Sequence, residues 1–299
     1  MTTKTAQTLG TAVPMLLPSK DDFVFKMLFG DKRNIDILKD FLTAVLHLNP
    51  DELSQITLTN THLKQEFLKD KLNILDVKAT LASGKVIDIE IQVEPFPEMR
   101  SRITYYGSKM ITEQVGKGGD YSAIKPAVII VIVDYPLITE SKKCHTKFQM
   151  LETTEKFPFN DLQEINILDL TKIPAEPDGD VSLWLQFLST NDEEVLMELA
   201  KKRPAIGQAL SSLRVISANA RNRSLYEARE KGERDQRARE HAAEARGRQD
   251  GEARGEARGR NETLLTLVKN MHESGFTIDK IEQVTKLSKA DINEMTRRF

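Results

Sequence analysis

Two neighbouring stretches, Leu72-Asn-Ile-Leu-Asp-Val-Lys-Ala-Thr-Leu81 and Val86-Ile-Asp-Ile-Glu-Ile-Gln-Val93, decide how this chain is read. Both are rich in Ile, Val and Leu, both alternate, and Ala82-Ser83-Gly84 separates them. The pattern predicts two strands of a hairpin. In the second strand Ile87, Ile89, Ile91 and Val93 point one way, and Asp88, Glu90, Gln92 and Glu94 the other. A polar, acidic face backed by aliphatic residues suits a strand that presents carboxylates to a cation.

Hairpin register decides whether Asp76 joins that face. A three-residue loop, with Gly84 left-handed and a bulge, sets Asp76 opposite Glu90 and Ile74 opposite Gln92. Opposed Cβ atoms then lie roughly 4.5–5.5 Å apart, close enough for two carboxylates to share one divalent ion. A two-residue loop would put Asp76 opposite Ile91 and abolish the site. Without a cation the carboxylates would repel; with Mg²⁺ both stay ionised, and water and phosphate oxygens take most of the other coordination positions. Gln92 cannot be a general base, because its amide does not titrate at useful pH. Its work would be to orient the attacking water or donate to a phosphate oxygen. Lys78, on the face of Asp76 in this register, adds positive charge toward a phosphate. The competing reading pairs Asp76 and Glu90 with Lys78 and Lys85 as surface ion pairs, and the spacing D-x₁₃-E-x-Q does not separate the two.

The surrounding sequence does. Asp22-Phe-Val-Phe-Lys-Met-Leu-Phe-Gly30, the Leu75-Asp-Val strand, Ile89-Glu-Ile-Gln92 and Arg102-Ile-Thr-Tyr-Tyr-Gly-Ser-Lys109 follow one another, then Gly118-Gly-Asp-Tyr-Ser-Ala-Ile-Lys-Pro126 and the strand Val128 to Val133. Over about residues 18 to 230 this order resembles the Rpn (recombination-promoting nuclease) or putative transposase family, a branch of the PD-(D/E)XK nuclease superfamily. The resemblance implies an α/β, restriction-endonuclease-like core with a mixed central sheet flanked by helices. It implies a metal-dependent DNA endonuclease linked to recombination or mobile-element transfer. Asp76 and Glu90 would be catalytic metal ligands, the backbone carbonyl of Ile91 would complete the coordination, and Gln92 would stand where the superfamily has lysine. The implied cofactor is Mg²⁺ (or Mn²⁺ or Ca²⁺), and the implied partner is DNA. The superfamily's proline is absent, with Leu75 before the aspartate.

Composition is compatible with this. A chain of 299 residues, 39% hydrophobic and 29% charged, holds one sizeable core plus an appendage. A net charge of −2 means that any DNA contact must come from a local patch. One cysteine, Cys144, excludes a disulfide framework within the chain, and His47, His62, His145, His241 and His272 show no zinc spacing. The longest apolar run, Ala127 to Val133, is too short to cross a bilayer, and the N-terminus lacks the layout of a signal peptide, so a cytoplasmic protein away from membranes is expected.

Elements follow from periodicity. Phe25, Leu28, Phe29, Ile35, Leu38, Leu42 and Leu46 recur at helical spacing, with Gly30-Asp31 as a break; Asp22 reads as an N-cap and Lys26 as solvated, although both lie in the family-like stretch. Ile56–Thr59 reads as a short strand, Arg100 to about Gly116 as a helix, Ala127–Val133 as a buried central strand, and Phe148–Leu151 and Ile165–Leu170 as sheet extensions. On the helix after Pro97, Arg102, Tyr106 and Lys109 lie on neighbouring turns; one reading puts them against phosphates and bases, the other packs the tyrosines on the sheet and leaves the cations solvated.

The expected domains are a nuclease-like domain over 18–220, a charged Gly/Ala/Arg/Glu repeat linker over 221–262 and a small helix-turn-helix-like module over 263–299. In the linker, acid-to-base pairs at i,i+4 oppose Gly247, Gly251, Gly255 and Gly259, which predicts a fraying helix. In the module, Leu264, Leu267, Val268 and Met271 form a stripe, Gly275 ends that helix, Thr277 opens the next, and Ser288-Lys-Ala-Asp291 caps a third. Its apolar stripes suit homo-oligomerisation at least as well as its third helix suits DNA reading. Two functions therefore stand: the endonuclease, or a non-catalytic DNA-binding or oligomeric scaffold that retains the nuclease fold.

Overall fold

Ala127–Val133, aliphatic at every position, becomes strand β4, and no residue in it is exposed to solvent. Only a strand covered on both faces and flanked on both edges can carry such a sequence. The computed structural model describes residues 15–59, 77–116 and 118–297. Within them lie β1 (Ile56–Leu58), β2 (Val77–Leu81), β3 (Val86–Gln92), β4, β5 (His145–Gln149) and β6 (Gln163–Asp169). They form one six-stranded sheet in the order β1-β2-β3-β4-β6-β5. β3, β4 and β6 run parallel to one another, and the other pairs are antiparallel.

The hairpin turns as its glycine requires. Gly84 sits at φ +85°, where a side chain would be strained, and Leu81 and Lys85 close the loop by backbone hydrogen bonding at 2.9 Å. The register is the one a three-residue loop imposes: Val77 opposite Ile89 and Lys78 opposite Asp88. Asp76, Leu75 and Ile74 lie outside the described residues.

Alternation sorts β3 and β4 onto two layers. Ile87, Ile89, Ile91, Val128, Ile130 and Ile132 enter the larger core, built with α1 (Asp22–Phe29), α2 (Ile35–Leu46), α4 (Asp180–Ser189), α5 (Glu193–Lys202) and α6 (Pro204–Ala218). Phe29, Phe41, Trp184 and Phe187 meet there edge-on or tilted, with ring centroids 5.3–5.8 Å apart. Trp184, fully buried in this core, donates from Nε1 to Asp40 at 2.9 Å. On the other face Ala127, Ile129, Val131 and Val133 pack under α3 (Met99–Thr112) through Met99, Ile103 and Met110.

Three local expectations are corrected. The first helix is capped by Asp21, whose carboxylate accepts from the N–H groups of Phe23 and Val24, so Asp22 is already helical. β5 begins at His145, three residues before the expected start, and ends at Gln149. Helix α3 stops at Thr112, and the chain to Gly116 closes in tighter turns, Gln114 N–H to Ile111 O and Val115 N–H to Thr112 O.

By its contacts the chain divides into Met1–Glu227 and Ala228–Phe299. The helix α7 (Ala220–Glu273) runs over 54 residues. Within the second unit Val268, Ile281 and Ile292 form a small core with α8 (Ile278–Thr285) and α9 (Lys289–Thr296). Gly275 at φ +81° ends α7, and Ser288 caps α9 by accepting from the Asp291 N–H and donating to its carboxylate.

Candidate active site

The polar face of β3 is buried. Asp88 is 3% and Glu90 4% exposed, beneath the layer that holds α3. Desolvation sets their electrostatics. Burial pushes Asp88 up to about 6, opposed by the cation of Lys78, whose Nζ stands 3.9 Å from Oδ2. Burial pushes Glu90 up to about 7, opposed by Arg102, reinforced by the charge of Asp88 and opposed again by Lys78. Lys85 turns to Glu52 at 3.7 Å, and any pair made by Asp76 lies outside the described residues.

The wall opposite is supplied by α3. Gly107 lets the helix approach closely: a Cβ there would lie 2.2 Å from Gln163 Nε2 and 2.9 Å from Ile129 Cδ1. That approach brings Arg102 within electrostatic reach of Glu90. The guanidinium carbon sits 5.5 Å from the Tyr106 ring centroid and 5.6 Å from that of Phe96. Tyr135, just past β4, adds a phenol that burial pushes up and that both Arg102 and Glu90 act on electrostatically. Among the described residues, Asp88 Oδ1 and Arg102 Nε and Nη2 are out of solvent with no hydrogen-bond partner.

Glu90, Lys78, Arg102 and Tyr106 are thus brought together. Gln92 lies on the same face and turns its amide to its own chain, Nε2 donating to the Glu94 carbonyl at 2.9 Å. The Ile91 side chain enters the opposite core. Lys109 is exposed and pairs with Glu113 at 3.6 Å, away from this cluster. On α3, Arg102 has the Tyr106 ring against it and acts on Glu90, whereas Tyr105 is 63% exposed. Asp88, Tyr135 and Phe96 were given no role from sequence. Alternation carried a signal for Asp88; none marked Tyr135 or Phe96.

Oxygen donors on one strand, one of them an orphaned buried carboxylate oxygen, are the kind a hard divalent cation takes. Among the described residues no three His, Cys, Asp or Glu side chains are grouped to hold such an ion, and Asp76 is outside them. No helix among the described residues is long and apolar enough to cross a membrane.

No curated protein and no solved structure matches the chain. A family model does, over residues 19–243, a span holding the whole sheet, α3 and every residue of the cluster just described. The chain belongs to the PD-(D/E)XK nuclease family transposases.

Proposed function

We propose that this protein is a Mg²⁺-dependent DNA endonuclease, with Asp76, Glu90 and Gln92 as its catalytic set. The observation that carries the reading is Glu90: a carboxylate driven out of water on a central strand, beside Arg102 and Lys78, in a chain of a nuclease family. Asp76, Glu90 and the Ile91 carbonyl would hold the cation, with Mn²⁺ or Ca²⁺ as substitutes. The bound cation supplies positive charge to the phosphodiester and lowers the pKa of water.

The residues do the rest. In hydrolysis a water oxygen bonds to phosphorus, the bond from phosphorus to one sugar oxygen breaks, and a proton ends on that oxygen. Glu90 and Asp76 position the reacting group, Gln92 orients the water through its amide, and Lys78, Arg102, Tyr106 and Lys109 contact the DNA backbone and bases. Residues 18–220 form the nuclease domain, 221–262 a linker, and 263–299 a module that aids DNA binding or assembles copies of the chain. The cell would use the enzyme in recombination or mobile-element transfer, in the cytoplasm.

One observation favours a second reading, a DNA-binding scaffold without turnover: the Gln92 amide is neutral and engaged with Glu94. Incubating supercoiled plasmid with Mg²⁺, Mn²⁺ or Ca²⁺ separates the two. Nicking by the wild type and not by Asp76→Ala or Glu90→Ala supports the endonuclease. Equal nicking by all three removes the site, and DNA binding without nicking leaves the scaffold.

A further inference from the structure

Among the described residues, Arg102 alone leaves two buried side-chain donors without an acceptor. These are Nε and Nη2, one edge of the guanidinium, which forms the fork that meets two oxygens of a carboxylate or phosphate at once. Arg33 shows the same edge engaged, its Nε and Nη2 reaching Asp31 Oδ2 at 3.1 and 2.6 Å. In Arg102 the orientation is held by aromatic packing, with the Phe96 and Tyr106 rings both against the guanidinium. The fork is preformed, and among the described residues no oxygen fills it.

The neighbourhood decides what does. Glu90 lies within electrostatic reach, and Lys78, the other cation acting on it, stands near Asp88. Residue 92 carries no charge, so β3 brings no cation of its own. The nonbridging oxygens of a phosphodiester match the fork in number and geometry. Access costs little core structure: residues 93–98 are exposed throughout, and Phe96 is itself 41% exposed.

We propose that the Nε–Nη2 edge of Arg102 grips the two nonbridging oxygens of the phosphodiester under attack, making Arg102 a catalytic residue and the fixed cation of the site. This rests on the reading of the site as one that cleaves phosphodiesters.

The test compares the full-length protein with Arg102→Met and Arg102→Lys, each checked for an unchanged thermal midpoint. Duplex binding is followed by fluorescence anisotropy in EDTA over a range of NaCl, and cleavage by single-turnover kinetics with Mg²⁺ or Mn²⁺. Arg102→Met lowers the slope of log affinity against log salt by about one. It also slows cleavage by about 10²-fold. Arg102→Lys keeps the slope but, lacking the fork, still loses at least about tenfold in rate. Should Arg102→Met melt early, Arg102→Lys carries the test alone. Millimolar guanidinium restores part of the rate to Arg102→Ala, a rescue that a packing role would not give. Wild-type rate in a folded Arg102→Lys, or wild-type rate and slope in Arg102→Met, overturns the inference and leaves the nuclease standing. A wild type that cleaves nothing overturns the nuclease reading, and this inference with it.

Discussion

Lys78 and Asp88 face each other across the β2–β3 pair, and the lysine Nζ stands 3.9 Å from an aspartate that is 3% exposed. Lys78 is the cation opposing the desolvation of that carboxylate. Lys78→Met should therefore destabilise the fold by about 1–2 kcal/mol, less than for a fully buried pair because the lysine is half-exposed. Adding Asp88→Asn should recover most of the loss. Urea midpoints in chelator measure both, and a double variant no more stable than Lys78→Met would show that the loss is not electrostatic.

Glu90 is the costlier acid. Held ionised at pH 8 without a cation, a carboxylate whose folded value is about 7 against an ordinary 4.5 works against folding by on the order of 3 kcal/mol. In EDTA, Glu90→Gln should accordingly melt several degrees higher than the wild type. Adding Mg²⁺ should raise the wild-type melting temperature and leave the variant unmoved. Equal Mg²⁺ shifts in the two proteins would remove Glu90 as a ligand.

His145 predicts a pH dependence on the far edge of the sheet. Burial holds its imidazole below the ordinary 6.5, against the hydrogen bond to Asn166 Oδ1 at 2.9 Å; His47 and Lys147 push the same way as burial, and Glu164 opposes them. The unfolded chain then binds a proton that the folded chain refuses, so stability falls as pH drops below about 6.5. His145→Gln should flatten that fall. Thermal melts between pH 5 and 8 with the same slope in both proteins would exclude the histidine as its source.

Gly107 tests the seating of α3. A methyl group there meets Gln163 Nε2 and Ile129 Cδ1, both at the ends of side chains that can yield. Gly107→Ala should thus cost about 1–3 kcal/mol through overpacking. It should also displace Arg102 and Tyr106 from Glu90, lowering any cleavage more than it lowers stability. A variant with normal activity and a lowered melting temperature would separate α3 packing from the site.

The hairpin was legible because two physical signals coincide in it: strict alternation over Val86–Gln92 and a glycine where the turn demands positive φ. The β4 strand was legible from hydropathy alone. The burial of Asp88 and Glu90 was not, since alternation gives the face of a residue but not what covers that face. The cover is α3, whose sequence Met99–Thr112 spreads charge and tyrosines around the helix instead of showing one apolar stripe. Tyr135 and Phe96 were invisible for a related reason. Tyr135 acts on the site from beyond β4, a proximity that no spacing along the chain encodes, and Phe96 reaches Arg102 from the irregular turn before α3. At α1 the cap read from sequence, Asp22, is displaced by its neighbour Asp21, whose backbone is extended as an N-cap requires.

The glycines of α7 bear on how much of that helix persists in solution. A Cβ built on Gly247, Gly251, Gly255 or Gly259 meets nothing within 4 Å among the described residues. Alanine there removes backbone freedom from the unfolded chain without steric cost, so each change should add about 1 kcal/mol to local helix stability. The ion pairs Arg260–Glu256 and Arg258–Glu262, at 3.1 and 2.8 Å, are exposed and each contribute only about 0.3–0.5 kcal/mol. Each glycine therefore outweighs any one such pair. Replacing Gly251 and Gly255 together should slow amide exchange across residues 247–260 by about 10–30-fold if that stretch opens locally. Protection already complete in the wild type, and unchanged in the double variant, would mean that the helix is held by contacts beyond its own sequence.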